Sequence, residues 1–145
     1  NFLEVAINSA EKSGKILQEY FEKIHDARSK NANIRDLITE VDLIAENEIR
    51  KIIKSKFPNH SIVAEETGKD IKKSDYCWHI DPIDGTVNYS QGIPLCAISI
   101  GLEFKQKLIL GVIFNPFFNE LYYATKNQGA FLNGKKIKVS RKYET

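Results

Sequence analysis

The stretch from Trp78 to Tyr89, W-H-I-D-P-I-D-G-T-V-N-Y, constrains this chain more than any other. It continues an apolar run, Tyr76 to Ile80, that reads as a short buried strand. Pro82 has no N–H to give to a sheet ladder, so the strand is expected to stop at Asp81-Pro82. Asp81 and Asp84 then stand three residues apart, with Gly85 and Thr86 directly after them. Two acids and two backbone N–H groups are thereby placed at the carboxyl end of a strand. Hard cations and phosphate oxygens suit such a place.

The segments before it read as two helices and a strand. Leu3, Ile7, Ala10, Gly14, Leu17, Phe21 and Ile24 are spaced by alternating gaps of four and three, which is one face of a long amphipathic helix. Residues 25–35 are polar and aperiodic and read as a loop or a short hairpin arm. His25, in that segment, reads as a surface residue. Thr39 followed by Asp42 resembles a capping box with Asp in place of Glu. On local pattern alone, both residues only start the helix that follows. That helix carries Val41, Ile44, Ala45, Ile49, Ile52 and Ile53 on one side and runs to about Lys56, where Phe57-Pro58 ends it. Ser61 to Ala64 is a short strand that runs into Glu65-Glu66-Thr67-Gly68. On spacing alone the two glutamates are solvent-facing charge. A polar segment, Lys69 to Asp75, leads back to the strand at Tyr76.

After Tyr89 the chain reads as a β-meander. Leu95 to Phe104 and Leu108 to Phe114 form an antiparallel hairpin across Lys105-Gln106-Lys107. Strands follow at Glu120 to Thr125, Ala130 to Leu132 and Lys135 to Ser140, with Asn133-Gly134 a strong hairpin turn. The expected class is α+β, with two long helices packed on a mainly antiparallel sheet.

Composition narrows the function. With 145 residues, 42% hydrophobic and 28% charged, the chain has the profile of one soluble globular domain with a real core. A net charge of +2 argues for neither nucleic acid nor a membrane surface. No apolar stretch approaches the length of a membrane span, and no signal peptide is evident, so the cytoplasm is the default location. Cys77 and Cys96 lie in apolar runs and read as buried free thiols. The chain begins at Asn1 and contains no methionine, which reads as a processed, trimmed or partial chain.

The acids carry the chemistry. If the strands ending at Ala64 and Ile80 lie in one sheet with the same direction, Glu65, Asp81 and Asp84 converge. No Lys, Arg or His lies in D-P-I-D-G-T to neutralise them. Mg²⁺ would serve, and the absence of soft ligands disfavours zinc or copper. Asp81 would then bridge two ions, an arrangement suited to in-line displacement at phosphorus. Gly85 allows a phosphate to approach the backbone, and Thr86 offers an N–H and a hydroxyl.

These motifs resemble the inositol monophosphatase family of Mg²⁺-dependent, lithium-sensitive phosphatases. The residues that carry the resemblance are D-L-I-T-E-V-D at Asp36 to Asp42, A-E-E-T-G at Ala64 to Gly68 and D-P-I-D-G-T at Asp81 to Thr86. G-I-P-L-C-A-I-S-I-G-L and G-A-F-L-N-G-K-K-I-K-V-S extend it over nearly the whole chain. Asn88-Tyr89 looks like the inositol-phosphatase branch, including its SuhB-like bacterial members. The resemblance implies the N-terminal portion of a layered sugar-phosphatase fold, a phosphate monoester as substrate and Mg²⁺ as cofactor. It implies metal ligation by Glu65, Asp81, the Ile83 carbonyl and Asp84. Asp84, Gly85 and Thr86 would bind substrate, while Glu65, Thr86 and Asp42 would hold, orient or activate the water. It thereby overrides the local readings of Asp42 and Glu65.

The resemblance also implies a homodimer and a second half, with a W-D-x-A-A-G-like motif whose aspartate completes the second metal site. Residues 1–145 alone are expected to have little activity. Two other readings stand beside the inositol phosphatase. One is a non-catalytic module with the regulatory, RNA-polymerase-associated role implied by the SuhB type. The other is a fructose-bisphosphate or nucleotide phosphatase, since the shared core does not read the leaving group.

Overall fold

Two helices cover one face of an eight-stranded sheet in the computed structural model, which describes residues 1–140. Helix α1 (Phe2–Ser29) and helix α2 (Arg35–Lys56) pack on each other and on the middle of the sheet. The strands are β1 (Ser61–Ala64), β2 (Gly68–Asp70), β3 (Tyr76–Asp84), β4 (Ala97–Phe104), β5 (Lys107–Asn115), β6 (Glu120–Thr125), β7 (Gly129–Leu132) and β8 (Lys135–Ile137). A short helix, α3 (Thr86–Ser90), links β3 toward β4. The order across the sheet is β2-β1-β3-β4-β5-β6-β7-β8. Among the described residues only β1 and β3 pair in parallel; every other neighbouring pair is antiparallel. The expected α+β class holds.

The core lies between helices and sheet. Alternation along the strands turns Trp78, Ile80, Ile98, Ile100 and Leu102 toward the helices, where each is almost wholly buried. The helical stripe meets them with Ala6, Ala10, Leu17, Ile24, Ile49 and Ile53. Gly14 sits in that stripe because a Cβ there would lie 2.7 Å from the Phe114 ring. The other sheet face is uncovered and carries exposed Leu108 and Ile113.

Several boundaries differ from the sequence reading. Helix α1 does not end at Ile24 but continues to Ser29, so residues 25–29 are helix rather than loop. The Arg28 guanidinium donates to the Ser90 carbonyl at 2.8 Å and holds that last turn. His25 is exposed, as expected. Helix α2 starts at Arg35, where Asn33 Oδ1 accepts the Arg35 N–H at 3.0 Å. Thr39 is therefore no cap. It lies inside the helix and its hydroxyl donates to the Arg35 carbonyl. Ile44 is exposed rather than part of the buried stripe.

The polar segment after Glu66 contributes an edge strand, β2, paired antiparallel to β1. Strand β3 runs through Pro82 to Asp84 instead of stopping at it. The pairing with β4 shifts register between Asp81 and Asp84, and this bulge takes in Pro82 without requiring an N–H from it. Strand β4 starts at Ala97, because the Leu95 carbonyl is engaged by Asn88 Nδ2. Strand β8 ends at Ile137 rather than Ser140. The hairpin at Asn133-Gly134 has both residues at positive φ, as its type requires.

Candidate functional site

Three elements, β1, β3 and α2, bring four acids to one end of the sheet. The parallel pairing of β1 with β3 sets Ala64 opposite Ile80. The Glu65 N–H continues this ladder by donating to the Ile80 carbonyl at 3.2 Å. Glu65 and Asp81 therefore leave adjacent strands side by side, which meets the condition for convergence. Asp84 follows across the bulge and is exposed. Asp42 reaches the same place from α2 and is only 6% exposed. It is a buried acid within α2, not a cap that starts the helix.

Electrostatics record this convergence. The Asp42 carboxyl is pushed up from 3.8 to about 7, first by burial and then by the charges of Glu66, Glu65, Asp81 and Glu46. Asp81 is likewise pushed up from 3.8 to about 7, by burial, by the neighbouring Glu65 carboxyl and by the charge of Asp84. The Ile83 N–H, donating to Asp81 Oδ1 at 3.1 Å, acts in the opposite sense. Glu66, exposed as a whole, is also raised, by partial desolvation of its carboxyl and by the charges of Glu65 and Glu46. Negative charge gathered where water is displaced raises Asp42, Asp81 and Glu66 toward their protonated forms.

The turn after Asp84 is built around glycine. Gly85 has φ of +96°, and a Cβ there would lie 3.0 Å from the Leu95 carbonyl oxygen. Both the backbone and the space therefore call for Gly. Thr86 begins α3, and its hydroxyl donates to the Ile83 carbonyl at 2.8 Å. With its proton committed there, the hydroxyl oxygen keeps acceptor capacity for a water. Ile83 is itself buried, so its carbonyl position is fixed by the core. Tyr89 anchors α3 by donating from its buried hydroxyl to the Leu17 carbonyl at 2.7 Å.

A depression on the uncovered sheet face reaches Glu65 and Asp81 and is floored by Val63, His79, Ser99 and Gly101. The donor set of Glu65, Asp81, Asp84 and the Ile83 carbonyl is all oxygen and acidic, so its chemistry fits a hard divalent cation. Among the described residues, no three His, Cys, Asp or Glu side chains are grouped tightly enough to hold one ion by themselves. The Ile83 carbonyl and water are the kinds of ligand Mg²⁺ takes to fill its shell.

Other residues fall outside this centre. Trp78 is a core residue whose indole N–H donates to His60 Nδ1 at 3.1 Å. Cys96 is a buried free thiol, raised to about 12 chiefly by burial. Cys77 is free but only half-buried, which corrects its reading as a core thiol. His79 lies on the open face, 3.3 Å from a Glu103 oxygen. No helix among the described residues is long and apolar enough to cross a membrane.

Sequence reasoning passed over Glu46. This residue is fully buried on α2, and its carboxylate accepts the N–H groups of Glu66 and Thr67. A signal was present, because Asp42, Glu46, Ile49 and Ile53 continue the spacing of four, three and four that marks the buried stripe. Acids on an inward stripe are there for a partner.

Known proteins of similar sequence and overall shape show which family the chain comes from. Fructose-1,6-bisphosphatase/inositol-1-monophosphatase of Aquifex aeolicus is 40% identical over 138 residues, 95% of this chain and 52% of its own length. Nus factor SuhB of Haemophilus influenzae is 38% identical, over 98% of this chain and 54% of its own. Among solved structures, the extragenic suppressor protein suhB of Bartonella henselae superposes with a TM-score of 0.86 at 31% identity, over 97% of this chain and 55% of that one. The inositol monophosphatase of Anabaena gives 0.83 at 37% identity, covering 97% of this chain and 50% of that one. The chain thus spans about half the length of the curated relatives it matches. The model of the inositol monophosphatase family matches residues 1–145 from end to end, and the chain belongs to that family.

Proposed function

We propose that this chain is the N-terminal, metal- and phosphate-binding domain of a Mg²⁺-dependent phosphatase that hydrolyses a phosphate monoester, with inositol 1-phosphate as first substrate. The domain is taken as residues 1–145, of which 141–145 lie outside the described residues. One observation carries the reading: the parallel β1–β3 pairing that sets Glu65 beside Asp81, with Asp84 across the bulge and buried Asp42 behind them. Glu65, Asp81, the Ile83 carbonyl and Asp84 are the residues that would hold Mg²⁺. The ion, when bound, supplies positive charge to the converging carboxylates and to the phosphate oxygens.

The chain's own residues do the rest. Gly85 lets a phosphate approach the backbone, and the N–H groups of Gly85 and Thr86 bind it. The Thr86 hydroxyl donates a hydrogen bond to the Ile83 carbonyl and accepts one from the attacking water. Asp42 stands behind that water as a proton acceptor and orienter. Glu65 holds the water's side of the site, and Asp84 meets the substrate hydroxyls. Water attacks phosphorus in line and passes a proton to Asp42, while the opposite bond to the ester oxygen breaks and the alcohol leaves, taking its proton from solvent; no covalent intermediate is needed.

The relatives' names support the substrate class and also name the rivals. The Aquifex aeolicus relative carries both fructose-1,6-bisphosphatase and inositol-1-monophosphatase activities in its name, and the Haemophilus influenzae relative is called a Nus factor. A regulatory, non-catalytic role has no need of the acidic cluster, which favours the enzyme. The reading carries a cytoplasmic homodimer from the resemblance.

The test is phosphate release with Mg²⁺ from inositol 1-phosphate, fructose 1,6-bisphosphate and a nucleotide. Fused to the second half of the Aquifex aeolicus relative, the chain is expected to turn over inositol 1-phosphate and to lose this by a factor of about 100 or more on Asp81→Asn. Turnover unchanged by the substitution would refute the reading. Residues 1–145 alone are expected to give little or none.

A further inference from the structure

We propose that Glu46 is a positioning residue for Glu65, an inference that rests on the reading of Glu65 as a metal ligand. Glu46 is fully buried, one helical turn after Asp42 on the same face of α2. Its Oε2 accepts the Glu66 N–H at 2.8 Å. Its Oε1 accepts the Thr67 N–H at 3.1 Å and the Thr67 hydroxyl. Three donors from consecutive residues thus converge on one carboxylate, twenty residues away in sequence.

The consequence falls on the residue just before them. The Glu65 N–H is tied to the Ile80 carbonyl of β3, and the next two N–H groups are tied to α2. Glu65 is therefore bracketed between two rigid elements, and its side chain leaves from a fixed point beside Asp81. Helix α2 serves the site twice, with Asp42 reaching into the acidic cluster and Glu46 gripping the turn behind Glu65.

The chemistry calls for a carboxylate and not merely a polar group. Glu46 meets only donors, so an amide at this position would turn an N–H₂ toward N–H groups. The nearest cation, Arg50, stands 3.8 Å away and is shared with Asp70, which itself binds Lys54 and Lys72. Backbone N–H groups, not an ion pair, are the main partners of this buried charge. Groups that orient ligands in this way are typically worth about 10- to 100-fold in metal affinity.

The experiment compares the 145-residue chain with Glu46→Gln by amide hydrogen exchange and by calorimetric titration with Mg²⁺. The substitution is expected to speed exchange of the Glu66 and Thr67 amides by about tenfold or more, with the β3 and β4 amides unchanged. It is expected to weaken Mg²⁺ binding by about tenfold or more. Equal Mg²⁺ affinity in both chains, or exchange that quickens everywhere alike, would overturn the positioning role and leave the reading of the site intact. An unaltered chain that binds no Mg²⁺ would bring down both. Should Glu46→Gln fail to fold, Thr67→Val removes only the hydroxyl donor. A several-fold weaker affinity is then expected, and an unchanged one overturns the proposal.

Discussion

Asp42 and Asp81 define the problem at the scale of single residues. Each carboxyl is raised from 3.8 to about 7, and burial is the first cause in both. A group whose folded value is raised binds its proton more tightly in the folded chain. Between about pH 4 and 7 the unfolded chain ionises these acids while the folded chain resists it, so this pair withdraws stability as pH rises through that window. The melting temperature of the metal-free chain is therefore expected to fall more steeply from pH 4 to 7 than that of Asp81→Asn. Parallel curves would show that Asp81 is not held in this way. The sequence announced Asp81 and Asp84 plainly, because D-P-I-D-G-T packs acids, glycine and threonine into six residues. Asp42 was legible only through resemblance, since locally it passes for a helix cap. Glu46 was hidden because an acid on an amphipathic helix is ordinarily solvated, and its partners lie twenty residues on.

Elements set the boundaries that residues alone do not. The meander after Tyr89 could be followed from its apolar runs and turns, and both hairpin turns at Lys105-Gln106 and Asn133-Gly134 have positive φ. The end of α1 could not, because its apolar stripe finishes at Ile24 while a tertiary contact holds the final turn. Arg28 donates to the Ser90 carbonyl and to Gln91 Oε1, clasping α1 to the end of α3. Arg28→Ala removes these bonds, worth about 1 kcal/mol, and is expected to speed amide exchange in the last turn of α1 about fivefold, leaving α2 unchanged. Exchange equal to that of the unaltered chain would assign the turn to the helix's own propensity. Strand β2 escaped notice for a related reason. Gly68–Asp70 has no apolar pattern, and its place at the sheet edge comes from pairing with β1 and from Asp70 bound to Lys54 and Lys72.

Across the whole molecule, one topological fact makes the site. A meander alone would leave Glu65 and Asp81 apart. The parallel pairing of β1 with β3 puts two carboxyl ends together, and α2 crosses behind them with Asp42 and Glu46. From sequence that pairing is only a condition, since nothing local to either strand selects its direction. The helices supply the remaining support from one face of the sheet. In the function proposed above, this acidic junction binds a divalent cation through Asp81. The most direct measurement is a calorimetric titration of the 145-residue chain with Mg²⁺, set against Asp81→Ala. Saturable binding in the unaltered chain that disappears in Asp81→Ala is the predicted result. No binding in either, or binding that survives the substitution, would contradict it.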